Sequence, residues 1–345
     1  MHPTALRLGK MRGLQRLAND AGHFTMVALD QRPPIAQMLA AGLGIAPEQV
    51  RFDDMMAAKR VLVDTLGPHA SAMLLDPNFA LPAALTCLPA RTGLMVTLED
   101  HRFKDTAGGR LSHSIPDWSV EKTKRAGADG VKVLVWYRPD AAPEVRAHQH
   151  AYVQQVGDEC RRHDIPYVLE LLTYPFAKGA GMTEAPEQGA QRVIDSLIEF
   201  AKPEYGVDLF KLESPLPGPS LPATDGLSAH RAAQRWFDTM GQICREAGVP
   251  WVMLSAGVTP AQFSRVMRYA YAAGANGFLA GRAIWASALQ HFPDLAACRE
   301  VLGTEGLQTL QGLVDGARHA GRPWVSDFSG LDTVRAEGDF CARYV

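Results

Sequence analysis

Short, strongly apolar segments recur along the chain and are separated by amphipathic helical segments, and this alternation constrains the fold more than any other feature. The apolar segments predict strands at residues 24–29, 70–75, 93–98, 130–136, 166–172, 207–212, 250–255 and 276–280. They are nearly continuous apolar runs, as expected of parallel strands covered on both faces. Helical patterns lie between most of them, for example at 143–163, 186–201, 229–247 and 260–273. Eight such units predict an α/β fold, the (β/α)8 TIM barrel.

An open doubly wound sheet is the main competing architecture, but the glycine fingerprint GxGxxG that it carries after the first strand is missing. The chain has 345 residues, more than the roughly 250 of a typical barrel. We therefore expect one domain over residues 1–345, with the barrel at about 20–290. The additional length lies in an N-terminal segment (1–22), a proline-rich loop (214–228) and a C-terminal tail (about 300–345).

Helix boundaries support this assignment of strands and helices. Thr259-Pro260 provides an N-cap followed by proline at the first helical position. Gly127, Gly248 and Gly274 each lie just before a predicted strand, where a glycine commonly ends the preceding helix in a left-handed conformation. These junctions are expected at the base of the barrel, opposite the catalytic face.

Charge and composition exclude several classes of protein. The formal net charge is −2, which argues against a nucleic-acid or membrane-surface binder because no basic excess is available to neutralise phosphates. The N-terminus lacks the apolar core of a signal peptide, and no run of about 18 apolar residues occurs. The cysteines are scattered, without a CxxC pair, and predict reduced thiols: Cys87, Cys160, Cys244, Cys298 and Cys341. We expect a soluble cytoplasmic protein.

Two lysines lie inside predicted buried strands, Lys132 in the fourth and Lys211 in the sixth. Lysine is rarely buried without a partner, because desolvating an ammonium group is costly. By the two-residue period of a strand, Lys211 and Glu213 share one face, as Asp30 shares a face with Ala28 in the first strand. If these faces point inward, lysines and carboxylates meet in one pocket, where burial and a neighbouring cation favour a neutral, nucleophilic amine. The alternative is a structural network that pairs Lys132 with Glu170 and Lys211 with Glu213.

The last two predicted strands end in glycine-containing turns that suit an anion. Ser255-Ala256-Gly257 precedes the helix capped by Thr259, and Gly281-Arg282 follows the eighth strand. Backbone N–H groups at helix N-termini bind anions, and arginine adds a bidentate cation. Loops seven and eight of barrel enzymes often hold phosphate, although both glycines could serve only to permit tight turns.

Taken together, these segments resemble the tagatose 1,6-bisphosphate aldolase family of class I aldolases, which includes sulfofructose-1-phosphate aldolases. The resemblance covers about residues 20–290 and rests on collinear stretches: ALDQR (28–32), LLDPNFALPA (74–83), WSVEKTKRAGADGVKVLVWY (118–137), HAYVQQVGDEC (150–160), IPYVLELLTY (165–174), VDLFKLESP (207–215) and LSAGVTPAQF with AGANGFLAGRAIW (254–285). It implies a lyase that cleaves a phosphorylated ketose to dihydroxyacetone phosphate and a three-carbon aldehyde, with a small sugar phosphate as its ligand and no cofactor.

The resemblance also implies roles for individual residues. Lys211 would form the Schiff base, Glu170 would act as acid/base, and Lys132 with Asp30 would position substrate hydroxyls. The phosphate-binding and substrate-binding residues would be Gln31, Ser255, Ala256, Gly257, Gly281 and Arg282. No metal is expected, since a metal-dependent aldolase needs several histidines at strand ends and only His101 lies near one.

The distal end of the substrate is left open by the sequence. It could carry a phosphate, or a sulfonate as in sulfofructose 1-phosphate, and either would need a second cationic group; the candidates are Arg32, His101, Arg102, Lys104, Arg110 and Arg138. The long loop at 214–228 departs from the family pattern and could reshape the sugar pocket. A non-catalytic sugar-phosphate sensor is the remaining alternative, although it would have no use for an imine-forming lysine. The resemblance further implies a homo-oligomer.

Overall fold

The fold is built from eight parallel strands that form a closed barrel in a computed structural model, which describes residues 8–175, 185–223, 228–326 and 340–344. The strands are β1 (Phe24–Leu29), β2 (Ala72–Leu75), β3 (Gly93–Thr97), β4 (Gly130–Trp136), β5 (Tyr167–Leu172), β6 (Leu209–Leu212), β7 (Trp251–Met253) and β8 (Gly277–Ala280). Neighbours in the barrel are also neighbours in the chain, and β8 closes it by pairing with β1. The predicted TIM barrel is confirmed, and every predicted strand overlaps an observed one.

Helices follow most strands and cover the outside of the barrel. In the described residues they are α1 (Leu8–Leu17), α2 (Pro33–Leu43), α3 (Phe52–Leu66), α4 (Ala80–Ala84), α5 (Val120–Arg125), α6 (Pro143–Arg162), α7 (Pro186–Phe200), α8 (Ser228–Ala247), α9 (Pro260–Ala272), α10 (Arg282–Leu289), α11 (Leu295–Val301), α12 (Leu307–Ala320) and α13 (Phe340–Arg343). The four helices predicted from amphipathic patterns, now α6, α7, α8 and α9, agree with the prediction within one residue at each end.

The turns at the base of the barrel have the predicted conformation. Gly127, Gly248 and Gly274 have φ values of 86°, 68° and 96°, which L-residues with a side chain rarely adopt. At the opposite face, the Thr259 hydroxyl accepts a hydrogen bond from the Gln262 backbone N–H and caps α9. Helix ends at both faces are therefore defined by local sequence.

The barrel interior is filled by side chains from alternate strand positions and is closed at its base by α1. Met26, Ala28, Val168 and Leu209 pack inside the barrel with Leu14 and Leu17 of α1. These side chains are almost fully buried. Lys10, also on α1, donates a hydrogen bond of 2.6 Å to Asp208 at the start of β6. The aliphatic layers thus separate this pair at the base from the polar groups at the carboxyl ends of the strands.

Two elements are added to the barrel, a hairpin after β3 and a helix that packs against its side. A short antiparallel hairpin, Lys104–Thr106 with Gly109–Leu111, follows β3 and was not predicted. After the barrel, α12 packs Leu310, Leu313 and Ala317 into the main core. The predicted N-terminal segment, the loop at 214–228 and the C-terminal tail each lie partly outside the described residues. Within the described residues, no helix is long and apolar enough to cross a membrane.

Candidate active site

A cavity of about 590 Å³ opens at the carboxyl ends of the barrel strands, where barrel enzymes place their catalytic groups. All ten residues predicted for the site line it: Asp30, Gln31, Lys132, Glu170, Lys211, Ser255, Ala256, Gly257, Gly281 and Arg282. The barrel thus brings together side chains as far apart in the chain as Asp30 and Arg282. Their functional roles remain predictions.

Lys132 is the centre of the buried charge cluster. Its Nζ lies 2.8 Å from Asp30 Oδ2, 2.6 Å from Glu99 Oε1 and 2.7 Å from Glu170 Oε2. Burial disfavours the ammonium form, but the surrounding carboxylates Asp30, Glu170 and Glu99 outweigh it and raise the pKa of Lys132 well above its usual value. The three carboxylates therefore favour the ammonium form of Lys132.

Asp30 follows β1 and is held in the charged form. Burial alone would raise the pKa of its carboxyl, but Lys132 and Lys211 together bring that pKa well below its usual range. Its Oδ2 accepts the hydrogen bond from Lys132, while Oδ1 is a buried acceptor without a donor among the described residues. An unsatisfied acceptor that faces a cavity is available for a substrate hydroxyl.

Lys211 reaches the same cluster from β6. It lies directly opposite Glu170 in the register of β5 and β6, and its Nζ donates to Glu170 Oε2 at 2.9 Å. That oxygen lies within salt-bridge distance of both lysines. Of the two ion pairs in the structural alternative, Lys132 with Glu170 forms; Lys211, however, pairs with Glu170 and not with Glu213, whose Oε1 accepts a hydrogen bond of 2.6 Å from the Thr173 N–H.

Glu99 and Glu213 are members of the site that the sequence analysis did not assign. Glu99 follows β3, and its second oxygen accepts a hydrogen bond of 2.5 Å from the Thr97 hydroxyl. Both carboxylates line the cavity. Their positions at the ends of predicted strands were visible in the sequence, but which strand-end carboxylates turn inward was not. Asp76, at the end of β2, turns outward and pairs with the fully buried Lys59.

The loops that follow β7 and β8 line the end of the cavity that is predicted to bind an anion. Gly257 has a φ of 80°, and a Cβ atom placed on it would lie 2.7 Å from the guanidinium carbon of Arg282. A Cβ atom on Gly281 would lie 2.9 Å from the Ala28 carbonyl oxygen. Arg282 begins α10, so its charge lies at the positive end of a helix. Glycine is therefore favoured at Gly257 by its positive φ and at Gly281 by the close approach of the Ala28 backbone.

The candidates for a second cationic group separate into two sets. Arg32 and His101 line the cavity, and the Arg32 guanidinium is buried, donating 3.0 Å to the Glu99 carbonyl oxygen. Burial and the nearby Arg32 lower the pKa of His101. The other four candidates are absent from the cavity wall in the described residues: Arg102, Lys104, Arg110 and Arg138.

Arg110 has a different environment from the one expected of a substrate ligand. Its guanidinium carbon lies 4.3, 4.6 and 4.8 Å from the ring centroids of Phe103, Trp136 and Tyr174. Such contacts stabilise a cation over aromatic faces. Because Phe103 and Trp136 line the cavity, Arg110 packs from the hairpin against two residues of its wall.

The arrangement supports amine and carboxylate chemistry at a carbonyl. Two buried lysines share a carboxylate, and the loops predicted to bind an anion lie across the same cavity. Among the residues that the structure describes, no group of three His, Cys, Asp or Glu side chains could hold a metal ion.

Comparison with known proteins agrees with this chemistry. Residues 24–287 match the model of the DeoC/LacD family aldolases. The chain is 32% identical to tagatose 1,6-diphosphate aldolase 2 of Enterococcus faecalis over 317 residues, which are 89% of this chain and 93% of the relative. It is 30% identical to tagatose 1,6-diphosphate aldolase of Lactococcus lactis over 321 residues, 91% of this chain and 97% of the relative.

Solved structures share the architecture. The fructose-bisphosphate aldolase of Plasmodium falciparum superposes with a TM-score of 0.66 at 16% identity, covering 93% of this chain and 98% of its own. An archaeal fructose-1,6-bisphosphate aldolase, captured with its catalytic lysine bound to a carbinolamine intermediate, gives a TM-score of 0.53 at 15% identity, covering 88% and 98%. At these identities the likeness establishes the fold.

Proposed function

The chain belongs to the DeoC/LacD family of aldolases and is therefore a carbon–carbon lyase, and from this premise we propose that it cleaves a ketose bisphosphate of the tagatose 1,6-bisphosphate type through a Schiff base on Lys211. The products are dihydroxyacetone phosphate and a three-carbon aldehyde. The observation that carries the proposal is the sharing of Glu170 between Lys132 and Lys211, at distances of 2.7 and 2.9 Å.

Because both lysines contact Glu170 but have different further partners, they are suited to different roles. Three carboxylates surround Lys132 and keep it protonated. Lys211 has Glu170 as its partner, so a proton can pass from its amine to a carboxylate before the amine attacks the substrate ketone. Glu170 returns protons as the carbinolamine loses water. The resulting iminium accepts the electron pair of the carbon–carbon bond that breaks.

The anion site orients the substrate relative to Lys211. The phosphate of the dihydroxyacetone phosphate half binds Arg282, Ser255 and the backbone at Ala256, Gly257 and Gly281, while Asp30 and Gln31 contact substrate hydroxyls. All of these residues line the same cavity as Lys211. A phosphate held at a fixed distance from the amine places the ketone for attack, which contributes to rate by orientation.

The distal anion of the substrate binds Arg32, with His101 beside it. Arg32 is buried, and its Nε has no hydrogen-bond partner among the described residues. A buried cation with an unused donor favours an anionic ligand. The tagatose 1,6-diphosphate aldolases among the relatives support a phosphate at this position; a sulfonate, as in sulfofructose 1-phosphate, has the same charge sign and is the alternative that substrate assays distinguish.

Borohydride trapping tests the mechanism. The enzyme is incubated with dihydroxyacetone phosphate and sodium borohydride, digested, and examined by peptide mass spectrometry. A reduced adduct on the peptide that contains Lys211 is expected. No adduct, together with loss of activity on chelation, would indicate a metal-dependent aldolase; no adduct and no turnover, but binding of the ligand, would indicate a sensor.

Substrate choice is tested separately, by comparing kcat/KM for tagatose 1,6-bisphosphate, fructose 1,6-bisphosphate and sulfofructose 1-phosphate. Release of dihydroxyacetone phosphate is the readout for all three. The highest value is expected for tagatose 1,6-bisphosphate, and a higher value for sulfofructose 1-phosphate would replace the proposed substrate without affecting the mechanism.

A further inference from the structure

Glu213 is a carboxyl group in the cavity to which the proposed mechanism assigns no role. It lies two residues after Lys211, on the same face of the chain, and lines the cavity with Thr173 and Leu172. Two residues of a strand span about 6.6 Å, so Glu213 is farther toward the mouth than Lys211. A substrate bound through its ketone to Lys211 and extending toward the mouth passes Glu213.

The two glutamates beside Lys211 differ in their partners. Glu170 Oε2 lies within 3 Å of two lysine amines, at 2.7 and 2.9 Å. Glu213 Oε1 accepts one backbone hydrogen bond, from Thr173, and the structure gives Glu213 no salt bridge among the described residues. Both lysine amines contact the same Glu170 oxygen, Oε2, so that oxygen is already engaged by the groups of the Schiff-base step. Glu213 is the less constrained proton acceptor.

We propose that Glu213 is a second acid/base of this active site, and that it takes the proton from the substrate hydroxyl whose carbon becomes the aldehyde. Glu170 then serves only the imine nitrogen and the enamine carbon. This division of work rests on the proposed Schiff-base aldolase function and refines it.

Electrons and protons balance in this step. In cleavage, the bond between carbons 3 and 4 breaks, and its electron pair moves through carbon 2 to neutralise the iminium and give an enamine. The proton on the oxygen of carbon 4 passes to the Glu213 carboxylate as that oxygen becomes the aldehyde carbonyl. Glu213 releases the proton to water, and carbon 3 takes one from Glu170, which water reprotonates. Protonation of carbon 3 regenerates the iminium, and water hydrolyses it to release dihydroxyacetone phosphate and the free Lys211 amine, which returns the enzyme to its starting state.

The electrostatics of Glu213 suit this role. Burial is the largest influence and raises the pKa of Glu213 to about 7, aided by the negative charge of Glu170 and opposed by the Thr173 hydrogen bonds and by Arg192 on α7. The charged groups that face it are Glu170 on β5, Arg192 on α7 and Lys211 on its own strand. A general base works best when its pKa lies near the operating pH. Cleavage should therefore gain rate as pH rises through about 7, when Glu213 loses its proton.

The test separates carbon–carbon cleavage from the earlier steps in one variant, Glu213→Gln. The amide oxygen can still accept the Thr173 N–H, so the fold is expected to be kept. With dihydroxyacetone phosphate in D₂O, this variant should exchange the carbon-3 hydrogen and form the borohydride adduct as the unmodified enzyme does. Its kcat/KM for tagatose 1,6-bisphosphate should fall roughly 10²–10⁴-fold. Glu187→Gln, at an exposed carboxylate on the first turn of α7, is the matched control.

The pH profile gives a second, independent readout. The rise in kcat/KM with pH near 7 should be present in the unmodified enzyme and absent from the residual activity of Glu213→Gln. If that variant does not fold, Glu213→Asp replaces it: a lower rate with the pH-dependent rise retained is then expected.

Three results would overturn the proposal. Cleavage by Glu213→Gln at the rate of the unmodified enzyme would show that no proton passes through this side chain. Loss of deuterium exchange together with cleavage would show a structural role. An unchanged pH profile in the variant would assign the titration to another group. Failure of the Schiff-base function itself is recognised separately, because the unmodified enzyme would then give neither exchange nor adduct.

Discussion

The base and the mouth of the barrel both contain a buried lysine against carboxylate, but the two arrangements differ in how the charges are shared. At the base, Lys10 Nζ lies 2.6 Å from Asp208 Oδ2, and the same oxygen accepts 2.8 Å from the Tyr167 N–H. One cation meets one anion. At the mouth, Lys132 contacts three carboxylates, and one of these also contacts Lys211.

This difference distinguishes a pair that stabilises from a cluster that reacts. A buried pair with every hydrogen bond made has no reason to exchange protons, and breaking it leaves an unpaired charge. In the cluster, a proton can move between Lys211 and Glu170 while Lys132 keeps its own. We propose that reactivity depends on one carboxylate, Glu170, that contacts two lysine amines. Burial of a lysine alone does not indicate it.

The largest expected effect comes from removing the amine at the mouth. Lys211→Met should abolish cleavage and borohydride adduct formation while the fold is kept, because the nucleophile is lost and the methionine side chain fills a similar space. Turnover assays measure the loss of cleavage, and circular dichroism measures whether the fold is kept. Full activity in this variant would remove Lys211 from the mechanism.

Glu170→Gln should have the next largest effect. The amide cannot take the proton from Lys211, so kcat should fall by roughly 10²–10⁴. In contrast to Glu213→Gln, this variant should also lose deuterium exchange on dihydroxyacetone phosphate. Exchange at the unmodified rate would show that Glu170 only positions the lysines.

Lys10→Met at the base should change stability and leave the chemistry intact. It leaves Asp208 buried without its cation, at a cost of about 3–5 kcal/mol in the free energy of unfolding. Urea denaturation measures that loss, and kcat measured on the folded fraction should be unchanged. A large fall in the kcat of the folded fraction would show that the pair at the base also affects the chemistry at the mouth.

The smallest expected effect is on binding. Arg282→Lys keeps the positive charge but loses the bidentate geometry, so KM should rise about tenfold, with kcat nearly unchanged. Arg102→Lys is the matched control, because Arg102 is 74% exposed, pairs with Asp100 and does not line the cavity. Equal effects in the two variants would argue against an anion site at Arg282.

Strands, helices and the residues of the cavity were accessible from sequence because they follow from local periodicity and from the rule that parallel strands end at one face. The two-residue period grouped Lys211 with Glu213 and Asp30 with Ala28 on shared faces, but it did not say which faces point inward. These features need only neighbours in the chain, and the structure places each of them as predicted.

Other features depend on contacts between distant segments. Asp76 and Glu99 both follow strands, yet Asp76 meets Lys59 outside the barrel and Glu99 meets Lys132 inside it; nothing local distinguishes them. The hairpin was missed because Lys104–Thr106 and Gly109–Leu111 have little apolar alternation. Arg110 was one of six candidates for the second cationic group, and its actual environment could not be foreseen because its three aromatic partners come together only in the folded chain.

The packing of α1 against the base has a kinetic consequence. Leu14 and Leu17 close that end of the barrel. In the described part of the chain, substrate and products therefore enter and leave through the mouth. In the proposed mechanism, cleavage frees the aldehyde and leaves the dihydroxyacetone phosphate half bound to Lys211 as an enamine. We therefore expect ordered product release, with the aldehyde departing before dihydroxyacetone phosphate. Dihydroxyacetone phosphate should accordingly compete with the ketose in product-inhibition experiments, and the aldehyde should give a noncompetitive pattern.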